Sequence, residues 1–575
     1  MLFGKLELDP ARSPAVLDTA TWDRDAACRE VTGRRALWSA LYRDLAAGTA
    51  RARGSAGAPF PRAVIVEPSR LHCLAALADG QRAFVRVGGP GGESPLGTPM
   101  CRSSLGGGGT VSAYPADAAV IDAFCRALAP ANAPRALGRT PRLGIGTRMT
   151  TKVWPAIFAA MDRKRFAANS IQNSVRELNL LDDLREGKES ERNYASGFGM
   201  IESGYTGSTF EGLWVYGVLA ALEHDRPLAY GADADHIQFK RSDRDFARVD
   251  RVVRAARYYT FFTLDTADVL SYDAYERRGE GERLLEQTAV SAAERSDILA
   301  WHAAPLRVGQ RTYRLDADTV GRCAAKYGAA LDATGALHDR LVALRGGAPF
   351  DLEFAFDEHP PEVSGPDCIS TEEEVVFVVR ELARRGLPAT HIAPNFGIEK
   401  GFDYRIADGL PGLRARVEAI HRITEATGFL LDFHSADDLS AATRKVIGRA
   451  TGGRLHYKIS PMLHLIMART VSACAPELFH RWWNDALAYA QLEAGRGSAI
   501  AAESLRALAS SADPSPAPEH EVFRHFFFAY PGRRDPAGRF VNREQFYALP
   551  ADCTAAYQEQ VSAHLESIAE DLFTV

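Results

Sequence analysis

Eight short apolar runs constrain this chain more than any other feature. They are Arg142–Thr147, Phe166–Asn173, Pro227–Asp235, Tyr259–Asp265, Phe350–Asp357, Ala389–Asn395, Phe429–His434 and Arg454–Ser460. Each is followed by a helix-like stretch, such as Thr371–Arg385 with Gly386 placed as a C-cap. Strands alternating with helices predict a parallel sheet, and eight such units predict an α/β fold of the (β/α)8 TIM-barrel type. The span from 142 to about 475 exceeds the usual ~250 residues of that fold, so 174–226 and 273–349 are read as loop insertions.

The barrel fixes the domain plan: 1–135 as an accessory α/β region, 136–475 as the barrel, and 476–575 as an extension over the barrel mouth. In the first region, Arg62–Val66 and Arg82–Val87 are β-like and Ala116–Leu128 is helix-like. Gly88–Gly109 lacks the Lys-Ser/Thr of a P-loop and is read as a mobile loop. In the extension, Pro476–Leu508 reads as helical and Ala512–His520 as a Pro-rich loop. Glu521–Tyr530 is an apolar run around His525, and the last 25 residues form a closing amphipathic helix.

Alternate residues of a strand face the same side. In each run one parity is bulky and apolar, suited to the helix layer, and the other is polar or small. The polar parity comprises Asp233 and Asp235, Thr263 and Asp265, Glu353 and Asp357, His391 and Asn395, Asp432 and His434, and His456 and Lys458. A barrel built for stability alone would fill these places with Val, Ile and Leu. The predicted interior is instead acidic and His-rich, densest at strand C-termini, where barrel enzymes keep their sites. The stretch Pro227–His236 shows the pattern best, with two carboxylates on one face and His236 at its tip, a set suited to metal binding or acid–base work. The tip Asp357–Glu358–His359 should also reach the site, whereas His391 and His456 lie deeper and read as hydrogen-bonded core residues. Glu372–Glu374 reads as helix-start charge.

A net charge of −5 gives no basic footprint, which argues against a nucleic-acid partner. No apolar run has the length of a membrane span, and the N-terminus lacks a signal-peptide pattern. The eight cysteines are scattered without a CxxC pair and read as reduced thiols of a cytoplasmic protein. A homo-oligomer stays open.

The motifs GADADH, TFFTLD, FDEH, IEKGFDY, FHSADD, VIGRATGG and HYKIS, in that order, resemble the tagaturonate epimerase family over about residues 142–530. QNSVRE and FRHFFFAYPG are further matches, while PNFGIEKG and the SPM after Lys458 depart from the pattern. The resemblance implies a sugar or sugar-acid substrate and a divalent metal, Zn²⁺ or Mn²⁺, at the barrel mouth. It implies His236, His434, His525 and Glu358 as metal ligands. The proton carriers would come from Asp233, Asp235, Asp357, Glu358 and Glu177. Gln172, Arg176, Asp265, Lys400, Arg449 and Lys458 would bind substrate, the cations meeting a substrate carboxylate. The C–H at a carbon β to a ketone is not acidified, so inversion there favours retro-aldol cleavage and re-addition, with the metal as Lewis acid. Direct deprotonation by paired acid/base residues is the alternative route. Aldose–ketose isomerisation or aldol cleavage would use the same site, and an inactive sugar-binding or regulatory protein is the reading from outside enzymology.

Overall fold

The structure is a computed structural model that describes residues 1–50, 60–89, 91, 93–147, 150–195, 199–240, 243–288, 290–358, 368–399, 402–434, 436–459 and 461–574. Of the residues singled out above, His359 and Lys400 lie outside the described residues.

Eight parallel strands close into a barrel. In chain order they are β1 (Arg142–Gly146), β2 (Ala167–Ser174), β3 (Tyr230–Gln238), β4 (Phe261–Asp265), β5 (Asp351–Phe356), β6 (His391–Pro394), β7 (Leu430–Phe433) and β8 (Leu455–Ile459). Each strand pairs with the next, and β8 returns to β1 through His456↔Arg142 and Lys458↔Gly144. All eight are the runs read from the sequence. Helices cover the outside, and their apolar faces merge with the outward strand residues into one large core. The acidic start of the helix Glu372–Arg384 is a capping box, with Thr371 and Glu374 bonding each other's backbone.

The foot of the barrel is sealed by charge. Arg142, fully buried, donates to Asp351 at 3.2 Å and lies 2.8 Å from His391 Nε2. Asp351 also accepts from the backbone N–H groups of Leu137 and Gly138. Phe261 fills the space above, 5.3 Å from the Arg142 guanidinium and 4.8 Å and 5.2 Å from the His391 and His456 rings.

Residues before the barrel form a five-stranded antiparallel sheet, with two helices, Arg24–Gly33 and Arg35–Ala46, on one face. Period-two alternation divides its side chains. Cys73, Val85, Val87 and Val111 pack with Trp38 and Leu41 in a separate core, while Leu74, Phe84 and Tyr114 join the barrel's core through Ile121 and Phe124. The expectation of a mobile Gly88–Gly109 loop needs correcting. It contains an edge strand, Cys101–Ser104, that pairs with Thr110–Pro115 across a turn in which Gly107 has φ +72°. The glycines supply the turn's positive φ.

A second correction concerns the thiols. Cys474, in the helix Pro461–Cys474 after β8, is disulfide-bonded to Cys553, in the helix Ala551–Phe573. Scattered positions gave no hint, because the pair is 79 residues apart and meets only once the last helix has packed. That helix lies against the outer helices Trp154–Lys164, Ala441–Thr451 and Pro461–Cys474. No helix among the described residues is long and apolar enough to cross a membrane.

The 273–349 insertion docks on the barrel through a buried carboxylate. Glu381 accepts from Arg384 at 2.7 Å and Arg385 at 3.0 Å, and His302 of the insertion lies 3.1 Å away. Burial would raise this carboxyl, but its three cationic or donating neighbours hold it down at about 2, against an ordinary 4.5. A depressed carboxylate stabilises the fold fully above its unfolded pKa, and that contribution fades as pH falls through the folded value. Glu381→Gln is therefore expected to cost up to ~3 kcal/mol near neutrality, with the gap from wild type closing as pH drops from about 4.5 towards 2. Thermal melts of both proteins across that window check it.

Candidate active site

The barrel interior carries polar tiers above Phe261. In the middle tier Lys458 from β8 is surrounded by oxygen. Its ammonium bonds Asp235 Oδ1 at 2.8 Å, Thr263 Oγ1 at 2.6 Å and Glu353 Oε2 at 2.7 Å, with Asp233 Oδ2 at 3.4 Å and Asp432 Oδ2 at 3.9 Å. An ammonium has three donors, and all three are used. Gly144 makes room for this packing. A Cβ there would stand 2.6 Å from Gln172 Oε1, 2.8 Å from Lys458 Cγ and 2.9 Å from His456 Nε2. Gly144→Ala must displace Lys458 or Gln172, so activity is expected to fall on the order of a hundredfold, with the fold retained by circular dichroism.

The upper tier holds the groups that could act on a ligand. His236 does not sit at a strand tip. β3 continues to Gln238, and its register against β4 shifts between Ala234 and Ile237. His236 occupies that bulge with φ +55°. Strict alternation would send it outwards with Ala234. The bulge and the left-handed backbone turn it inwards instead, so Asp235 and His236 both face the interior. Such a conformation costs a non-glycine residue of order 1–3 kcal/mol and tends to be kept at functional sites.

His236 Nδ1 lies 3.6 Å from Glu358 Oε1 and 3.8 Å from Asp265 Oδ2, and it is buried without a hydrogen-bond partner. Arg176 grips Glu358 with its fork at 3.0–3.1 Å and approaches Asp265 at 3.7 Å. Its charge state is secured: burial opposes the cation, but Glu358 and Asp265 raise its pKa further. Edge-on to His236, at 4.9 Å, stands the ring of His434. His434 Nε2 lies 2.8 Å from Glu353 and its Nδ1 lies 3.2 Å from Asp357. Among the described residues two groups of ligand-type atoms result, His236–Asp265–Glu358 above and Glu353–Asp432–His434 below.

The titrations in this cluster are pushed apart. Burial, then repulsion from Asp235 and Glu353, lifts Asp233 to about 8. Burial and Glu353 likewise hold Asp432 well above the carboxylate range. Against the same burial, His236, Lys458 and His434 hold Asp235 low. Lys458 and His434 do so for Glu353. One set of carboxyls thus keeps protons while its neighbours are ionised, the pattern of acid–base sites.

A profile of the tagaturonate epimerase family matches residues 106–502. The chain belongs to the tagaturonate epimerase family. A curated relative, the tagaturonate/fructuronate epimerase of Thermotoga maritima, is 29% identical over 257 residues, 44% of this chain and 48% of that protein. The chain thus aligns with about half the length of this curated relative. Crystal structures of the fructuronate-tagaturonate epimerase of Cohnella laeviribosi share the fold. The native form has TM-score 0.65 at 19% identity, covering 92% of this chain and 98% of that one. A form with two glycerols has TM-score 0.66 at 19% identity, covering 93% and 99%.

Of the family-type residues expected from the sequence, the barrel gathers Asp233, Asp235, His236, Asp265, Asp357, Glu358, His434, Lys458, Gln172 and Arg176. Gln172 donates to Asp235 at 3.2 Å. Glu177 is also buried, just after β2, and accepts from Tyr205 at 2.9 Å; Tyr205 is 3.3 Å from His464. His525 belongs to neither ligand group; it is half-buried on the short helix Glu521–Phe526. Arg449 is misplaced by the sequence reading: it is exposed in the last turn of Ala441–Thr451. That helix starts at the mouth and runs down to β8, so its last turn lies at the barrel's foot. Lys458 is buried with its donors engaged by the protein, which leaves none for a substrate carboxylate. Glu353 and Asp432 were placed inside by parity but not assigned a role. Tyr205 had no signal because it lies in a turn, which shows no period, and nothing in the helix Pro461–Cys474 marks His464 as its neighbour.

Proposed function

We propose that this protein is a divalent-metal-dependent epimerase that interconverts tagaturonate and fructuronate by inverting the carbon β to the ketone. The observation that carries the reading is the orphaned, buried Nδ1 of His236, aimed at two carboxylates at the mouth of a barrel of this family. Mixed nitrogen and oxygen ligation suits Zn²⁺ or Mn²⁺. His236, Asp265 and Glu358 would hold the ion. A carboxylate has about four lone-pair positions, so Glu358 can serve both an ion and the Arg176 fork. When bound, the ion supplies Lewis acidity to the ketone oxygen and the enediolate.

The chain's own residues do the rest. Arg176 is placed to orient an anionic substrate beside Glu358. Asp357 is the more exposed carboxyl of the cluster and has His434 behind it at 3.2 Å, so it removes the hydroxyl proton that starts carbon–carbon cleavage. Glu177, held by Tyr205, is a second carrier on a different loop, which a re-addition on the opposite face requires. His434, engaged by Glu353 and Asp357, works as the proton partner of Asp357 rather than as a ligand.

The test is conversion of tagaturonate in D₂O, followed by NMR with and without chelator. Fructuronate should form, chelation should abolish it, and Zn²⁺ or Mn²⁺ should restore it, with no deuterium at the inverted carbon. Solvent deuterium there would overturn the retro-aldol route. Full activity after complete metal removal would overturn the metal's role.

A further inference from the structure

The barrel holds two stacked groups of metal-ligand type, and what separates them is a lysine. The lower group, Glu353–Asp432–His434, offers two carboxylates and an imidazole, as good a donor set as the upper one. Yet its space is shared with the Lys458 ammonium, which bonds Glu353 Oε2 at 2.7 Å and lies 3.9 Å from Asp432 Oδ2. The other oxygen of Glu353 is 2.8 Å from His434 Nε2. Lys458 also bonds Asp235, and Asp233 is within 3.4 Å, so one ammonium faces four buried carboxyl groups, of which Asp235 and Glu353 are the ionised pair. Uncompensated buried carboxylates are costly, and a cation at this point offsets that cost. A divalent ion would answer the same need.

We propose that Lys458 is a built-in counter-ion standing where a second metal would sit, and that it limits the protein to one ion per chain, at the mouth. The inference rests on the metal reading above. The upper group differs in the decisive respect. The cation beside it, Arg176, is a planar fork on one edge of Glu358, which leaves the space between His236 Nδ1, Asp265 and Glu358 Oε1 clear of an ammonium. Below, the ammonium is a point charge in the middle of the oxygens. Lys458 thereby positions Asp235 and Glu353 beneath the mouth without adding a second Lewis acid.

The experiment is metal stoichiometry, read by equilibrium dialysis against Zn²⁺ and elemental analysis of full-length protein. Wild type should bind one ion per chain, and Lys458→Arg should also bind one. Lys458→Met should bind two, the second at least tenfold more weakly. If Lys458→Met does not fold, Lys458→Met/Asp233→Asn replaces one crowded carboxyl by a neutral amide, keeps Glu353, Asp432 and His434, and should bind two. One ion in wild type and in the folded lysine-free variant would overturn this inference alone. No ion in wild type would overturn the metal reading itself. Two in wild type would show that the ammonium does not exclude an ion.

Discussion

Replacing His236 by alanine is expected to abolish binding of the proposed divalent ion and to lower kcat/KM by about a thousandfold or more, ~4 kcal/mol of transition-state stabilisation. The ring contributes the only nitrogen of the upper ligand group, and its neighbours cannot substitute for it. His434 bonds Glu353 and faces Asp357, and Arg176 carries the wrong charge. His434→Ala should behave differently. The ion should stay, while turnover falls on the order of a hundred- to a thousandfold through loss of a proton partner. Elemental analysis beside steady-state kinetics separates the two variants. Loss of metal from His434→Ala with metal retained in His236→Ala would reverse the assignment. The bulge at His236 adds a stability signature. The alanine variant sheds the ring's contacts but keeps a left-handed residue, so His236→Gly should be the more stable of the two, by roughly 1 kcal/mol.

The second large effect is one of stability. Arg142→Leu should destabilise the fold by ~3–5 kcal/mol, because it leaves Asp351 buried without its cation and removes the lid beneath Phe261. Denaturant or thermal unfolding measures the loss. Arg142→Leu/Asp351→Asn should regain a good part of it, since a neutral amide can still accept from Leu137 and Gly138. Catalysis at low temperature should survive in both, since Arg142 sits at the foot of β1, beneath Phe261, and the upper ligand group lies at the mouth. A loss of turnover in the folded single variant would show that the foot and the mouth are coupled through Phe261.

The barrel was legible because its signal is local and repeated. Each strand announces itself by an apolar parity, and eight repeats fix the architecture. Inward parity also placed Glu353, Asp432 and Lys458, but it could not assign them roles, since a role depends on which side chains meet across the barrel. Lys458 shows this. The sequence offers a cation at a strand end, fit for a substrate carboxylate, and only the closed barrel reveals that protein oxygens saturate it. His236 was found for an incomplete reason. Alternation ended the strand at Asp235 rather than Gln238, and the bulge that turns the ring inwards has no mark in GADADH. Arg449 was misjudged because a motif's place in the order of the chain does not tell which end of a helix it occupies. The Cys474–Cys553 link and the Tyr205–His464 contact join segments distant in sequence, and no spacing rule covers them.

The helix Ala551–Phe573 has a consequence for how the protein is made. It lies against the helix that follows β1 as well as those that follow β7 and β8. The outer wall over the barrel's closing seam is therefore completed by a segment synthesised more than 90 residues after β8 ends. On the ribosome, the nascent barrel would carry an uncovered apolar groove until that segment emerges. Pausing or truncation before residue 551 is then a route to aggregation, and the groove a natural place for a chaperone to bind.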